Sequence, residues 1–339
     1  MTLRLSLVLI AAICCVSAVA QDAVVTVSSP LDYQVFQRRT RLHGTILVRG
    51  SVLTAIKVEA RVEGTSIEGP LPARWRRMTV DAAHRQFSGE LPVIAGGFYR
   101  VEIMATDAAG KLALITVPNV GVGEVFVISG QSNSTNYGEV RQKTETGMVA
   151  SFSGTEWVLA NDPQLGVQDN SKDGSFIPSF GDALYRRYHI PIGIASVGHG
   201  STSVRQWLPA GMAIHVMPTM PKYVKKNADG MLVSDGTLFD GMMTRICQLG
   251  PHGFRALLWH QGESDSHQSS EHEIDATTYQ SMMVTLIRTS RKKAGWHFPW
   301  FVAQASYHTP EDTGARRFER RNEVFGSVIL RWKGQTAIR

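Results

Sequence analysis

Three short stretches hold the side chains that can do chemistry. They are "SGQSNS" around Ser132, "GHGSTSVRQW" from Gly198 to Trp207, and "HQGESD" from His260 to Asp265. A serine hydroxyl attacks a carbonyl only when a base takes its proton and a turn projects it to a reachable place. Ser132 has small neighbours that allow such a turn, although Gly-Gln-Ser-Asn is not the G-x-S-x-G elbow. A turn serine that caps a helix is the competing reading. Gly198 and Gly200 permit close backbone approach, so the Gly200 N–H can donate to a developing oxyanion. A plain glycine turn after a strand is the alternative there. Gln261 offers a side-chain amide for the same purpose, and Glu263 a carboxylate able to orient a histidine. His260, Glu263 and His267 are spaced like possible metal ligands, but no helical H-E-x-x-H accompanies them. Neither a metal nor a cofactor is expected.

Each of the three stretches follows an apolar run: 125–128 before Ser132, 190–197 before Gly198, and 256–259 before His260, with a fourth run at 300–303. Runs that are apolar on both faces belong to a parallel sheet covered by helices. Between the last two runs, Tyr279, Met282, Met283, Leu286 and Ile287 recur at helical spacing ahead of the stop residue Gly295. The predicted class is α/β, a three-layer doubly wound sheet, whose function lies at the carboxyl ends of its strands. The first part of the chain reads differently. "IKVEARVE" sets Ile56, Val58, Ala60 and Val62 against Lys57, Glu59, Arg61 and Glu63, and "YRVEIMAT" sets Tyr99, Val101 and Ile103 against Arg100, Glu102 and Met104. Period two means half-buried strands. With turns at Gly96-Gly97 and "TDAAGK", residues 21–120 are predicted to form a small all-β, Ig-like sandwich without a catalytic constellation.

Composition narrows the class further. Arg4, an uncharged apolar stretch and Ala18-Val19-Ala20 are the three parts of a secretory leader cleaved after Ala20, so the chain is expected to be exported, periplasmic or extracellular. Cys14 and Cys15 leave with that leader, and Cys247 alone cannot form an intramolecular disulfide. The formal charge of +6 invites a nucleic-acid reading. It fails, because residues 314–339 hold seven basic residues against Glu319 and Glu323 and account for most of the excess. No nucleic-acid partner and no membrane association after cleavage are expected.

Gly-Gln-Ser-Asn, a Gly-Gly-Thr-Ser-like stretch and His-Gln-Gly-Glu, in this order, resemble the sialate O-acetylesterase group of the SGNH hydrolases, together with carbohydrate esterase family six. The resemblance covers 121–313, and the preceding β-domain is similar to the family's layout. It implies a flavodoxin-like SGNH domain that removes O-acetyl groups from carbohydrate through an acyl-enzyme. It also implies that Ser132 is the nucleophile, Gly200 and Gln261 the oxyanion donors, and Glu263 the acid of the third motif. His199 stands where the family pattern has another glycine. The family's base comes from a C-terminal Asp-x-x-His, and no such phrase is present; the last histidine is His308, in "ASYHTPEDTG". Codon degeneracy permits the basic tail to be re-read in another frame ending in a family-like Gly-Pro-Asp segment. The expectation is therefore a domain without its final segment, its tail native or out of frame, and inactive as written if no other histidine serves Ser132. A catalytically silent carbohydrate-binding relative and an SGNH esterase for a non-sugar ester are the alternatives. Trp157, Arg205 and Trp207 are candidates either for the site wall or for the core.

Overall fold

The computed structural model describes residues 25–266 and 268–303. The leader at 1–20, His267, His308 and the tail at 314–339 lie outside the described residues.

The first part consists of strands. β1 (Val25–Ser29), β2 (Val35–Gln37), β3 (His43–Val52), β4 (Ala55–Glu63), β5 (Gln86–Ile94) and β6 (Gly96–Asp107) lead to β7 (Leu112–Gly130). β3 lies between β1 and β5 in a four-stranded sheet, while β4, β6 and β7 are neighbours in a second, larger sheet. Ile46 and Val48 from the first and Val58, Ala60, Val101 and Ile103 from the second are all buried in one apolar cluster. The alternation of the sequence thus becomes two sheets sharing a core. Ile56 departs from the expected inward face and is 61% exposed. The β4–β6 register slips between Thr106 and Asp107, pairing Thr106 with Lys57 and Asp107 with Ala55, so Ile56 is passed over. A bulge of this kind turns one side chain out of its face.

β7 is the joint of the molecule. It pairs antiparallel with β6 from Leu112 to Val122. From Glu124 it pairs parallel with β9 (Ile192–Ser196) on one side, and from Phe126 with β10 (Ala256–His260) on the other. β8 (Val149–Phe152) extends the parallel sheet beyond β9, and β11 (Trp300–Val302) extends it beyond β10. In chain order the parallel strands run second, third, first, fourth, fifth. The four strands inside β8 alone run 2-1-3-4, so β8 is an addition to that order, with the short antiparallel strand Trp157–Leu159 beyond it. Glu124 bolts the joint: its carboxylate accepts from Arg38, Gln37 and Arg255 at 2.7–3.0 Å. Burial pushes this carboxyl up, but the Arg255, Gln37 and Arg38 donors outweigh it and leave the net shift downward.

Helices cover both faces of the parallel sheet. α1 (Ile177–Tyr188) packs Ile177 with Ile128, Ile192 and Ile194. α2 (Thr237–Leu249) and α4 (Ala276–Ala294) pack Met242, Met243, Met283 and Leu286 on the opposite face, with Val125, Val127, Leu257 and Trp259. Burying such a side chain is worth about 1.5–3 kcal/mol each. The methionines are core, as helical spacing implies. The Asp275 side chain caps α4 by accepting from the Thr278 N–H, and Gly295 ends it in the left-handed conformation. α3 (Glu263–Ser266) is a single turn after β10. No helix among the described residues is long and apolar enough to cross a membrane.

Candidate active site

The chain leaves β7 for the β8–β9 side and then crosses back to the β10–β11 side, so the two directions part at the end of β7. That switch point opens a crevice in a parallel sheet, and Ser132 stands there. The local turn differs from the expected strand-to-helix corner. Ser132–Ser134 forms one 3-10 turn, closed by the Thr135 N–H donating to the Ser132 carbonyl, and no helix follows directly.

Backbone bonds stitch the three motifs together around this turn. The His199 N–H donates to the Gly130 carbonyl at 2.9 Å, and the Gln131 N–H donates to the His260 carbonyl at 3.0 Å. The Ser134 hydroxyl donates to the Ser129 and His260 carbonyls at 2.9 and 3.2 Å. Gly130 is required at this crossing: its φ is +130°, and a Cβ there would stand 2.1 Å from the His260 oxygen. Ser132 itself is half-buried. Its side chain borders a cleft walled by Tyr137, Phe176, His260 and Phe301.

The other expected site residues are close by but engaged. The Gly200 N–H donates to the Asp169 carboxylate at 2.6 Å. The Gln261 amide is fully buried; its nitrogen faces the Thr202 carbonyl at 3.0 Å, Asp265 Oδ2 and, at 3.3 Å, Gln131 Oε1. Its oxygen accepts from the Tyr279 hydroxyl at 3.0 Å. Glu263 is 5% exposed; Oε1 accepts from the Asn133 amide at 3.1 Å, whereas the buried Oε2 has no partner among the described residues. A buried carboxylate oxygen is costly to leave without a donor. His199 is buried with both ring nitrogens used: Nδ1 faces the Gly200 carbonyl at 2.8 Å and Nε2 the Tyr223 hydroxyl at 2.9 Å. Nδ1–H therefore donates to the carbonyl, and Nε2 accepts from the phenol. No hydrogen bond joins a histidine to Ser132 among the described residues.

Asp265, Gln131 and Asp169 carry more of this architecture than the motif spacing announced. Asp265 is 2% exposed and accepts from the Ser203 hydroxyl at 2.6 Å, the Val204 N–H at 3.0 Å and the Gln261 amide. The Ser203 oxygen in turn accepts from Arg205 Nε at 2.6 Å. Arg205 is fully buried and reaches the Val216 and His272 carbonyls at 2.9 Å each. Burial pushes the Asp265 carboxyl up and the Arg205 guanidinium down, each against the attraction of the other. This network locks the second motif to the third. Gln131 Oε1 extends it, receiving the Gly262 and Ser264 N–H groups at 3.3 and 3.2 Å. Arg205 and Trp207 are core and not site wall; so is Trp157, which stacks on Phe152 with centroids 4.9 Å apart. The signals were present in "GQSN" and "HQGESD", but only tertiary pairing reveals what Gln131 and Asp265 hold.

A carbohydrate acetylesterase from Xanthomonas citri has a similar fold, with a TM-score of 0.54 at 18% identity over 91% of this chain. The match spans 66% of that protein, just under two thirds of its length. A protein from Arabidopsis thaliana is 18% identical over 60% of this chain and 80% of its own, with a TM-score of 0.42. No curated protein matches the chain by sequence. Residues 122–327 match the family described as carbohydrate esterase, sialic acid-specific acetylesterase. The matched span takes in all three motifs and runs past residue 313, where the resemblance was expected to stop. It covers more than half of the 339 residues, and the chain belongs to that family of carbohydrate esterases.

Proposed function

We propose that the protein is an exported serine esterase that removes O-acetyl groups from carbohydrate, built as an SGNH-type, flavodoxin-like domain behind an all-β sandwich. The observation that carries this reading is the stitching of three motifs around the Ser132 turn, inside the span matched by the esterase family. In the proposed reaction Ser132 Oγ attacks the acetyl carbonyl while a base takes its proton. The tetrahedral intermediate then collapses, the sugar hydroxyl leaves with a proton, and water hydrolyses the acetyl-serine. The Gly200 N–H and the Gln261 amide are the proposed oxyanion donors. Each must exchange its present acceptor, Asp169 for Gly200 and Thr202 or Asp265 for Gln261, for the developing charge. Glu263 is proposed to orient the base through Oε2, which no described residue answers. His260, which borders the cleft of Ser132, and His308 are the candidate bases.

A catalytically silent carbohydrate binder is the second reading, favoured by the same occupied donors. Acetate release separates the two, measured on O-acetylated sialic acid and on acetylated xylan. Release from either supports the esterase and names the preferred sugar class. Binding of both without release identifies the silent relative, and neither binding nor release overturns the carbohydrate reading altogether.

A further inference from the structure

A second groove lies between the outer face of β3 and the parallel-sheet half; it shares only Phe301 and Val302, among the described residues, with the Ser132 cleft. Its volume is about 1850 Å³. Small-molecule sites occupy roughly 300–1,000 Å³, so this groove has room for several linked sugar rings. Its walls include Arg38, Arg39, Arg49, Arg255, His252 and Trp296, and among the described residues no aspartate or glutamate lines it.

The cations divide into two kinds. Arg38 and Arg255 share Glu124, which lies buried behind the wall. Arg39 and Arg49 are exposed, and among the described residues no carboxylate answers either of them. Trp296 supplies the apolar part. Its ring rests against His252, Phe254 and Phe298 with centroids 4.6, 5.0 and 5.3 Å away, which fixes its orientation while the residue stays half-buried. A fixed indole offers a face to the C–H side of a pyranose, and guanidinium groups in a fork match carboxylates. The chain's own basic tail has the wrong charge for these walls.

We infer that this groove binds a carboxylated glycan, a chain of uronic or nonulosonic acid residues, at a site separate from Ser132. The choice of a sugar rests on the esterase reading; the choice of an acidic one rests on the groove. Its role is to hold an acidic polymer on the enzyme while Ser132 acts on another part of it.

The test measures binding to the mature Ser132→Ala chain, so that turnover plays no part and its failure is separate from failure of the esterase reading. The probes are a galacturonic acid octamer, an oligosialic acid, a neutral xylo-oligosaccharide and inorganic polyphosphate, followed by isothermal titration at low and at physiological salt. The inference expects one of the two acidic glycans to bind and the neutral one not to; which acidic glycan binds names the source. Adding Arg39→Ser and Arg49→Ser is expected to weaken that binding at least ten-fold. Both side chains are exposed, so the melting temperature should stay unchanged and certify the fold. Trp296→Tyr, which keeps a ring in place, is expected to retain most of the affinity, and Trp296→Ala to lose it. Equal binding by the arginine variant, equal binding of the neutral glycan, tighter binding of polyphosphate than of either glycan, or no binding at all overturns the inference.

Discussion

Replacing Asp265 by alanine tests whether the buried network organises the site. The wild-type carboxylate sits 3.6 Å from Arg205 Nε and is joined to it through the Ser203 hydroxyl. The Arg205 side chain is 0% exposed, so no water replaces the lost charge. Breaking a buried pair from one side costs about 3–5 kcal/mol, because the remaining charge is left unanswered. The Val204 N–H and the Gln261 amide also lose their acceptor, which places the expected loss toward the upper end. At about 2.1 cal/mol/K of unfolding entropy per residue, a chain of 339 residues shifts by about 1.4 °C for each kcal/mol, so the fall should be roughly 4–7 °C. Urea unfolding checks the free energy, and a double change to Asp265→Leu with Arg205→Met should recover most of it, since an apolar pair needs no counter-charge. A loss below about 1 kcal/mol for Asp265→Ala, the range of an exposed pair, would falsify the claim that this network is a buried anchor.

Three further outcomes follow from the geometry. Asp169→Asn weakens the acceptor now held by the Gly200 N–H; charge-assisted and neutral bonds differ by about 1 kcal/mol. If Gly200 is an oxyanion donor, kcat on an activated acetate ester should rise roughly five-fold by this difference, whereas an unchanged or lower kcat removes Gly200 from that role. Gly130→Ala forces a Cβ onto the His260 carbonyl at a φ of +130°; the backbone strain alone is about 1–3 kcal/mol, and a urea midpoint equal to wild type would show that the crossing is looser than described. Glu124 contributes stability that is present above the ordinary carboxyl value of 4.5 and lost as pH falls through its lower folded value. Glu124→Gln should lower stability at neutral pH and flatten the acid limb of the stability profile below that value, as read by thermal melts across pH; an unaltered acid limb assigns that slope to other carboxyls.

Elements whose pattern is local were legible in the residue order. The apolar runs at 125–128, 190–197, 256–259 and 300–303 hold the parallel strands, two of which are shorter than their runs, at Ile192–Ser196 and Trp300–Val302, and the 3.6-residue recurrence from Tyr279 to Ile287 lies on the buried face of α4. What depends on distant partners was not legible. Nothing in "SVRQW" says that Arg205 faces Asp265 sixty residues later, and its neighbour Trp207 looked equally suited to a site wall. Ile56 kept its alternation in the sequence and lost it to a bulge set by Asp107 on another strand. The continuity of β7 through both sheets was hidden because its first part alternates and its last part does not. For the site, the chemistry of Ser132, Gly200, Gln261 and Glu263 could be read from residue type. Their present acceptors could not, since Asp169 and Thr202 come from other loops.

The most direct test of the central claim is hydrolysis of p-nitrophenyl acetate by the mature chain beside its Ser132→Ala variant. The account predicts turnover by the first and its loss in the second, with His260→Ala and His308→Ala then deciding which imidazole serves as base. Equal turnover by both chains contradicts Ser132 as the nucleophile, and no turnover by either contradicts the esterase reading of this chain.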